Sequence, residues 1–131
     1  SVRLGGLRDR LERSVLQNIP GSLLNGDPAL RLPNISNISF RGIEGEGLLI
    51  NLDMKGIAVS TGSACSSGSL EPSPVIRALR REDELARGAI RFSFGCANTE
   101  EDVDRVLEVL PRSIDALRML SPARSEKTAM G

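Results

Sequence analysis

Two kinds of side chain in this 131-residue sequence could make or hold a reactive group: a thiol in a loop of small residues and a guanidinium in a strand. The thiol is Cys65, set within Ser60-Thr61-Gly62-Ser63-Ala64-Cys65-Ser66-Ser67-Gly68-Ser69. Nothing in that run can fill a core. Glycine adds backbone freedom and serine competes for local backbone hydrogen bonds, so the composition predicts a surface loop. A cysteine turns nucleophilic when it is exposed and its thiolate is favoured by dipoles or cations. A thiol on a tethered arm therefore suits a group-carrying nucleophile. The sequence offers it no base, so an activating group has to come from elsewhere. The opposing reading, a linker with an incidental cysteine, has equal weight on composition alone.

Arg91 sits in the middle of Ala89-Ile90-Arg91-Phe92-Ser93-Phe94, on the side opposite Ile90, Phe92 and Phe94. A guanidinium grips a carboxylate through two parallel hydrogen bonds, which makes an amino-acid carboxylate a natural ligand. Spacing alone favours the plainer alternative of a half-exposed arginine paired with a local Glu or Asp. Cys96, just past the strand, reads as a buried small hydrophobe, the usual fate of a free cysteine. Gly42-Ile43-Glu44-Gly45-Glu46-Gly47 has the look of a phosphate loop but lacks a following Lys-Ser/Thr, and its two glutamates would repel phosphate.

The bulk properties narrow the field. Lys+Arg and Asp+Glu number 17 each and aromatic residues are 2%, so neither a basic field nor stacking platforms favour nucleic acid. No run of about 18 apolar residues predicts a membrane span, and Ser1-Val2-Arg3-Leu4 has no signal-peptide character. With two cysteines a disulfide is not demanded, and a cytoplasmic protein is the simpler expectation. Histidine is absent, which rules out Cys-His dyads, serine triads and His-ligated metals within this chain.

The elements that would hold these residues can be sketched from periodicity. Leu4, Leu7, Leu11, Val15 and Ile19 recur at helical spacing, with a firm start expected near Leu7 because Gly5 and Gly6 weaken the first turn. Leu23-Leu24 reads as a short strand and Asn34 to Phe40 as another, with Ile35 out of phase and a bulge or twist expected there. Glu44 to Lys55 reads as a helix stopped by Gly56. Ile57 to Val59 is a short strand into the cysteine loop, and Pro72 to about Leu79 a further helix. The charged run Arg80 to Arg87 reads as a solvated connection. After the Ala89 to Phe94 strand, Thr99 caps the longest helix with Asp102 as its capping-box partner. Pro111 is expected to interrupt that helix, and the tail from Ser121 to fray.

Several stretches together resemble the carboxy-terminal part of the cysteine desulfurases. These are Leu32-Pro33-Asn34-Ile35-Ser36-Asn37-Ile38-Ser39-Phe40, Glu44-Gly45-Glu46 with Leu48-Leu49, Gly56 through Cys65 to Ser73, Ile90-Arg91-Phe92-Ser93-Phe94-Gly95, and Asn98 to Asp104. They keep the family's order and cover nearly everything before about Pro122. The resemblance implies a pyridoxal-phosphate enzyme of the class-V aminotransferase type. Such an enzyme turns L-cysteine into L-alanine and an enzyme persulfide destined for iron–sulfur cluster assembly and other sulfur transfer. It implies that Cys65 is the catalytic thiol that carries the persulfide and that Arg91 binds the substrate carboxylate. It also implies homodimers and handover to iron–sulfur scaffold proteins or other sulfur acceptors, with room for a transient iron–sulfur contact at Cys65 but no metal site.

The departures from the family pattern are equally informative. Its Schiff-base lysine, ring-stacking histidine and pyridine-nitrogen aspartate belong to a large amino-terminal domain, and none can be assigned here, since Lys55 and Lys127 lie outside any such motif. Pro74 stands where the family often has histidine, and Cys96 where it often has arginine. The expectation is an α+β fold, a small antiparallel or mixed sheet of three to four strands covered by helices, like the small domain of fold-type I pyridoxal-phosphate enzymes. Residues 1–121 would form that domain and 122–131 a flexible tail, with the cofactor held by a large domain outside this chain and the chain alone inactive. The alternatives are a stand-alone sulfur-carrier or scaffold-binding module using the Cys65 loop, and a structural fragment whose loop is merely flexible.

Overall fold

A computed structural model describes residues 2–26, 33–61 and 82–120. Residues 62–69 of the cysteine loop, Cys65 among them, the helix expected from Pro72 to Leu79, and the tail from Ser121 lie outside the described residues, while Ser60 and Thr61, expected in the loop, are strand. The order of elements is α1 (Val2–Asn18), β1 (Ser22–Leu24), β2 (Ile35–Phe40), α2 (Gly45–Met54), β3 (Ser60–Thr61), α3 (Glu82–Arg87), β4 (Ala89–Ser93) and α4 (Glu100–Leu120). The four strands form one antiparallel sheet in the order β1-β2-β4-β3, an α+β arrangement as the sequence predicts.

Alternation along the strands divides the sheet into two faces. Ile38, Phe40, Ile90 and Phe92 point to one of them, where α1, α2 and α4 close over a core that includes Leu7, Leu11, Val15, Leu48, Leu52, Val103, Leu110 and Ile114. Each fully buried Leu, Ile or Phe contributes roughly 1.5–3 kcal/mol relative to exposure, so this face dominates stability. The opposite face carries Asn37, Ser39, Arg91 and Ser60. It is covered only in part by α3, to whose Leu85 carbonyl the Ser39 hydroxyl donates at 2.6 Å.

Local chemistry accounts for most element ends. α2 stops where Gly56 takes φ 82° in the left-handed region, and its N–H bonds the Asp53 carbonyl. α4 begins with the expected capping box: Thr99 N–H donates to Asp102 Oδ2 at 3.0 Å, and Asp102 N–H reaches Thr99 Oγ1 at 3.4 Å. Asn98 Nδ2 donates to the same carboxylate at 3.2 Å. These bonds, Asn98's first and then Thr99's, hold the Asp102 carboxyl below its usual range.

Five local expectations need correction. α1 starts at Val2 rather than near Leu7. Arg3 ties the first turn down by donating to the Asn98 and Cys96 carbonyls at 2.7 and 2.8 Å, which offsets the cost of about 1 kcal/mol for each helical glycine. β2 has no bulge, because its residues pair one-for-one with β4 from Ile35↔Ser93 to Ser39↔Ala89; Ile35 simply belongs to the polar face. Residues 57–59 run beside β4 without joining it, and the ladder forms only at Ser60 and Thr61. The charged run contains α3, because Leu85 and Ala86 are buried at 2% and 6% exposure and anchor it. α4 is assigned as helix straight through Pro111, carried by an apolar stripe of Val103, Leu110 and Ile114.

Two close approaches tie the sheet's far end to the loops. A Cβ on Gly88 would stand 2.2 Å from the Phe40 carbonyl oxygen, and one on Gly45 would stand 3.0 Å from the Ala89 carbonyl oxygen. Only the absence of a side chain lets the turn at 41–44 and the start of α2 press against residues 87–89. Thr61 is held in the same cluster, 3.5 Å from that Gly45 position.

Candidate functional site on the polar face of the sheet

β4 is the inner strand between β2 and β3, so Arg91 is flanked on both sides: Asn37 of β2 and Ser60 of β3 are its register partners. All three project to the same face. Arg91 is half-buried, and its Nε donates to Ser60 Oγ at 3.2 Å. The pairing with a local Glu or Asp favoured by spacing is not what forms. Among the residues whose side chains are described, no carboxylate pairs with Arg91. Among those residues its Nη1 and Nη2 groups keep the parallel pair of donors that a carboxylate takes bidentately.

Ser60 opens the cysteine motif, and this contact is the link between the two residues singled out in the sequence. The chain is fastened beside Arg91 at Ser60 and Thr61 and then continues toward Cys65, which lies outside the described residues. Cys96 is exposed rather than buried. It falls in the turn after β4, where its carbonyl accepts from Arg3, and the chain there runs along the surface toward the α4 cap instead of turning inward. It does not join the polar face.

The face extends across β2 to the end of β1. Asn25 Nδ2 donates to Asn37 Oδ1 at 3.2 Å and to Ser39 Oγ at 2.7 Å, and Ser39 passes the chain of bonds to Leu85. Burial falls along β4 on this face: Ala89 is covered, Arg91 half-covered and Ser93 exposed. Sequence reasoning missed Ser60 and Asn37 as neighbours of Arg91, and Asn25 behind Asn37. The signal was the polar alternation of Asn37 and Ser39, which becomes readable only once β2 is known to pair with β4.

A cavity of about 360 Å³ lies elsewhere, beside the first turn of α4, with Leu11, Ile57, Phe92, Phe94, Val103 and Val106 in its lining. The charged groups on its rim are engaged, Asp102 in the cap and Arg105 in a 2.6 Å bond to the Lys55 carbonyl. Arg91 does not line it. Among the described residues, no cluster of three or more His, Cys, Asp or Glu could hold a metal ion, and no helix is long and apolar enough to cross a membrane.

Residues 7–106 match the family described as aminotransferase class-V. A protein named cysteine desulfurase from Gluconacetobacter diazotrophicus is 52% identical over 122 residues, covering 93% of this chain and 30% of that protein. One named cysteine desulfurase IscS from Clostridium botulinum is 53% identical, covering 92% of this chain and 31% of its own length. Among solved structures, a NifS-like protein superposes with a TM-score of 0.67 at 29% identity, over 88% of this chain and 28% of that one. A NifS-like protein from Rickettsia africae gives 0.66 at 26% identity, over 87% and 29%. The chain therefore spans about three tenths of the length of the relatives it matches.

Pyridoxal phosphate, the cofactor that the resemblance implies, is carried on a lysine. Lys55 is the one described lysine. Its Nζ donates to Asn51 Oδ1 and Ser113 Oγ at 3.1 and 3.2 Å, where α2 meets α4 across the core from Arg91. The sequence holds no histidine to stack on a ring.

Proposed function

The chain belongs to the class-V aminotransferase family, and from that membership we propose that it is the part of a cysteine desulfurase bearing the sulfur-accepting thiol, Cys65, and the substrate clamp, Arg91. The observation that carries this reading is the Arg91–Ser60 hydrogen bond. It ties a guanidinium whose two Nη groups have no acceptor among the described residues to the first residue of the cysteine motif, in a chain half-identical to proteins named cysteine desulfurase. Cys65 is four positions beyond Thr61, so covalent geometry keeps its Cα within roughly 14 Å of the Thr61 Cα.

On this reading L-cysteine and the Cys65 thiol become L-alanine and a Cys65 persulfide. Arg91 orients the substrate through its carboxylate, and the thiol accepts its sulfur. Pyridoxal phosphate is held by polypeptide outside this chain, in keeping with the engagement of Lys55, the one described lysine, by Asn51 and Ser113, and it supplies the electron sink when bound. The complete enzyme acts as a homodimer in the cytoplasm and passes its sulfur to an iron–sulfur scaffold or another acceptor protein.

The experiment supplies pyridoxal phosphate and L-cysteine to the chain alone and to the chain combined with a cofactor-bearing portion of a cysteine desulfurase. Alanine is assayed and added sulfur is located by mass spectrometry. The chain alone should give neither product. The combination should give alanine and one added sulfur atom on Cys65, with Cys65→Ser abolishing the mass gain and Cys96→Ser leaving it. Robust turnover by the chain alone would overturn the division of labour. Loading of Cys65 from a persulfide donor, with no gain on combination, would favour the sulfur-carrier module instead.

A further inference from the structure

We infer that Asn37 is a second donor to the anion that Arg91 binds, with its amide aimed by Asn25; the inference rests on reading Arg91 as a carboxylate clamp. The backbone pattern decides how near the two side chains come. Asn25 N–H donates to the Asn37 carbonyl, so Asn37 directs its own backbone groups at β1. The bonds from Phe94 N–H to the Asn34 carbonyl and from Phe40 N–H to the Gly88 carbonyl show that the even-numbered residues of β2 are the ones directed at β4. Asn37↔Arg91 is consequently a non-hydrogen-bonded pair, the narrow kind in which Cα atoms approach to about 4.5 Å and side chains sit closest.

The orientation of each group is set from behind. Ser60 takes Arg91 Nε and leaves the Nη pair. Asn25 takes Asn37 Oδ1, so the Asn37 NH₂ is turned away from β1, toward Arg91's side of the sheet. Asn25 is itself fixed on Ser39, which is 1% exposed and bonded to α3. Asn37 Nδ2 and the Arg91 Nη groups have no acceptor among the described residues. One cation and one neutral amide, converging on a half-buried strip, match a carboxylate. Its two oxygens can accept the bidentate guanidinium and still have lone pairs for a third donor. A phosphate dianion would call for more positive charge.

The test follows the Arg91 guanidinium by NMR in the whole 131-residue chain at neutral pH, titrating with L-alanine and, as a control, cysteamine, which has no carboxylate. The wild-type Arg91 signal should move with L-alanine and not with cysteamine. Asn37→Ala should weaken the L-alanine response by about tenfold or more, as loss of a hydrogen bond to a charged group implies. The near-isosteric Asn37→Asp should abolish it and shift the Arg91 signal with no ligand added, because the new carboxylate occupies the guanidinium; it also serves if the alanine variant unfolds. Asn25→Ala should cause a smaller loss. Binding by Asn37→Ala equal to wild type, with cysteamine still giving no shift, would overturn the role of Asn37 and leave the clamp standing. A wild-type signal that ignores L-alanine, or answers cysteamine equally, would overturn both.

Discussion

The core face and the polar face of the sheet are made from alternate residues of the same strands, yet they spend their side chains differently. Ile38, Phe40, Ile90 and Phe92 are at most 4% exposed and lie beneath three helices. One residue along in either direction, Asn37 and Arg91 are half-buried, and among the described elements α3 alone gives their face partial cover. Burial on one face stabilises the fold, whereas on the other it is incomplete and leaves hydrogen-bonding capacity for something outside the described residues. Because strand periodicity is two, a substitution can be directed at either property with little spill into the other.

The largest effect should come from the core face. Phe40→Ala should cost about 3–5 kcal/mol in urea unfolding followed by circular dichroism, while Arg91→Leu should change stability by less than about 1 kcal/mol. Equal losses from the two would erase the distinction between the faces. Gly88→Ala sharpens the comparison at the seam. Its Cβ would collide with the Phe40 carbonyl oxygen and disturb the 3.0 Å bond from Phe40 N–H to the Gly88 carbonyl, at a cost of about 1–3 kcal/mol by the same measurement. An unchanged midpoint would mean that the 41–44 turn is free to yield.

Thr99→Ala removes the α4 cap and should cost about 1 kcal/mol, lowering the urea midpoint without altering Arg91. The smallest effect is a pH dependence. Asp102 has a depressed folded-state pKa, so the unfolded chain binds its proton first as acid is added. Its contribution is complete above the ordinary carboxylate pKa and is lost as pH falls through the folded value. Asp102→Asn should therefore flatten part of the acid side of a stability–pH curve and leave the neutral side nearly parallel. An unchanged acid limb would remove the carboxylate from the cap.

Much of this was legible beforehand. The Ile90-Arg91-Phe92 alternation, the Thr99–Asp102 cap and the Gly56 stop follow from short-range chemistry, and all three stand in the structure. α3 was hidden because two apolar residues among charged ones leave almost no periodic signal. The early start of α1 depends on Arg3 reaching residues more than 90 positions away, which no local propensity records. The site was half-legible for a similar reason. Arg91 stood out by its type and face, but its neighbours come from β2 and β3, and β4 enters between β2 and its sequence neighbour β1 on one side and β3 on the other.

The brevity of β3 has a consequence for association between chains. An open sheet edge is a template on which another strand can pair, and natural sheets blunt such edges by keeping the edge strand short. Beyond β4 the ladder holds only Ser60 and Thr61 among the described residues, so this edge offers a foreign strand two residues to grip. Arg91 stands one strand in from it, on an inner strand paired along both sides. A guanidinium site can thus lie near the rim of the sheet without the rim becoming a place where copies of the chain adhere.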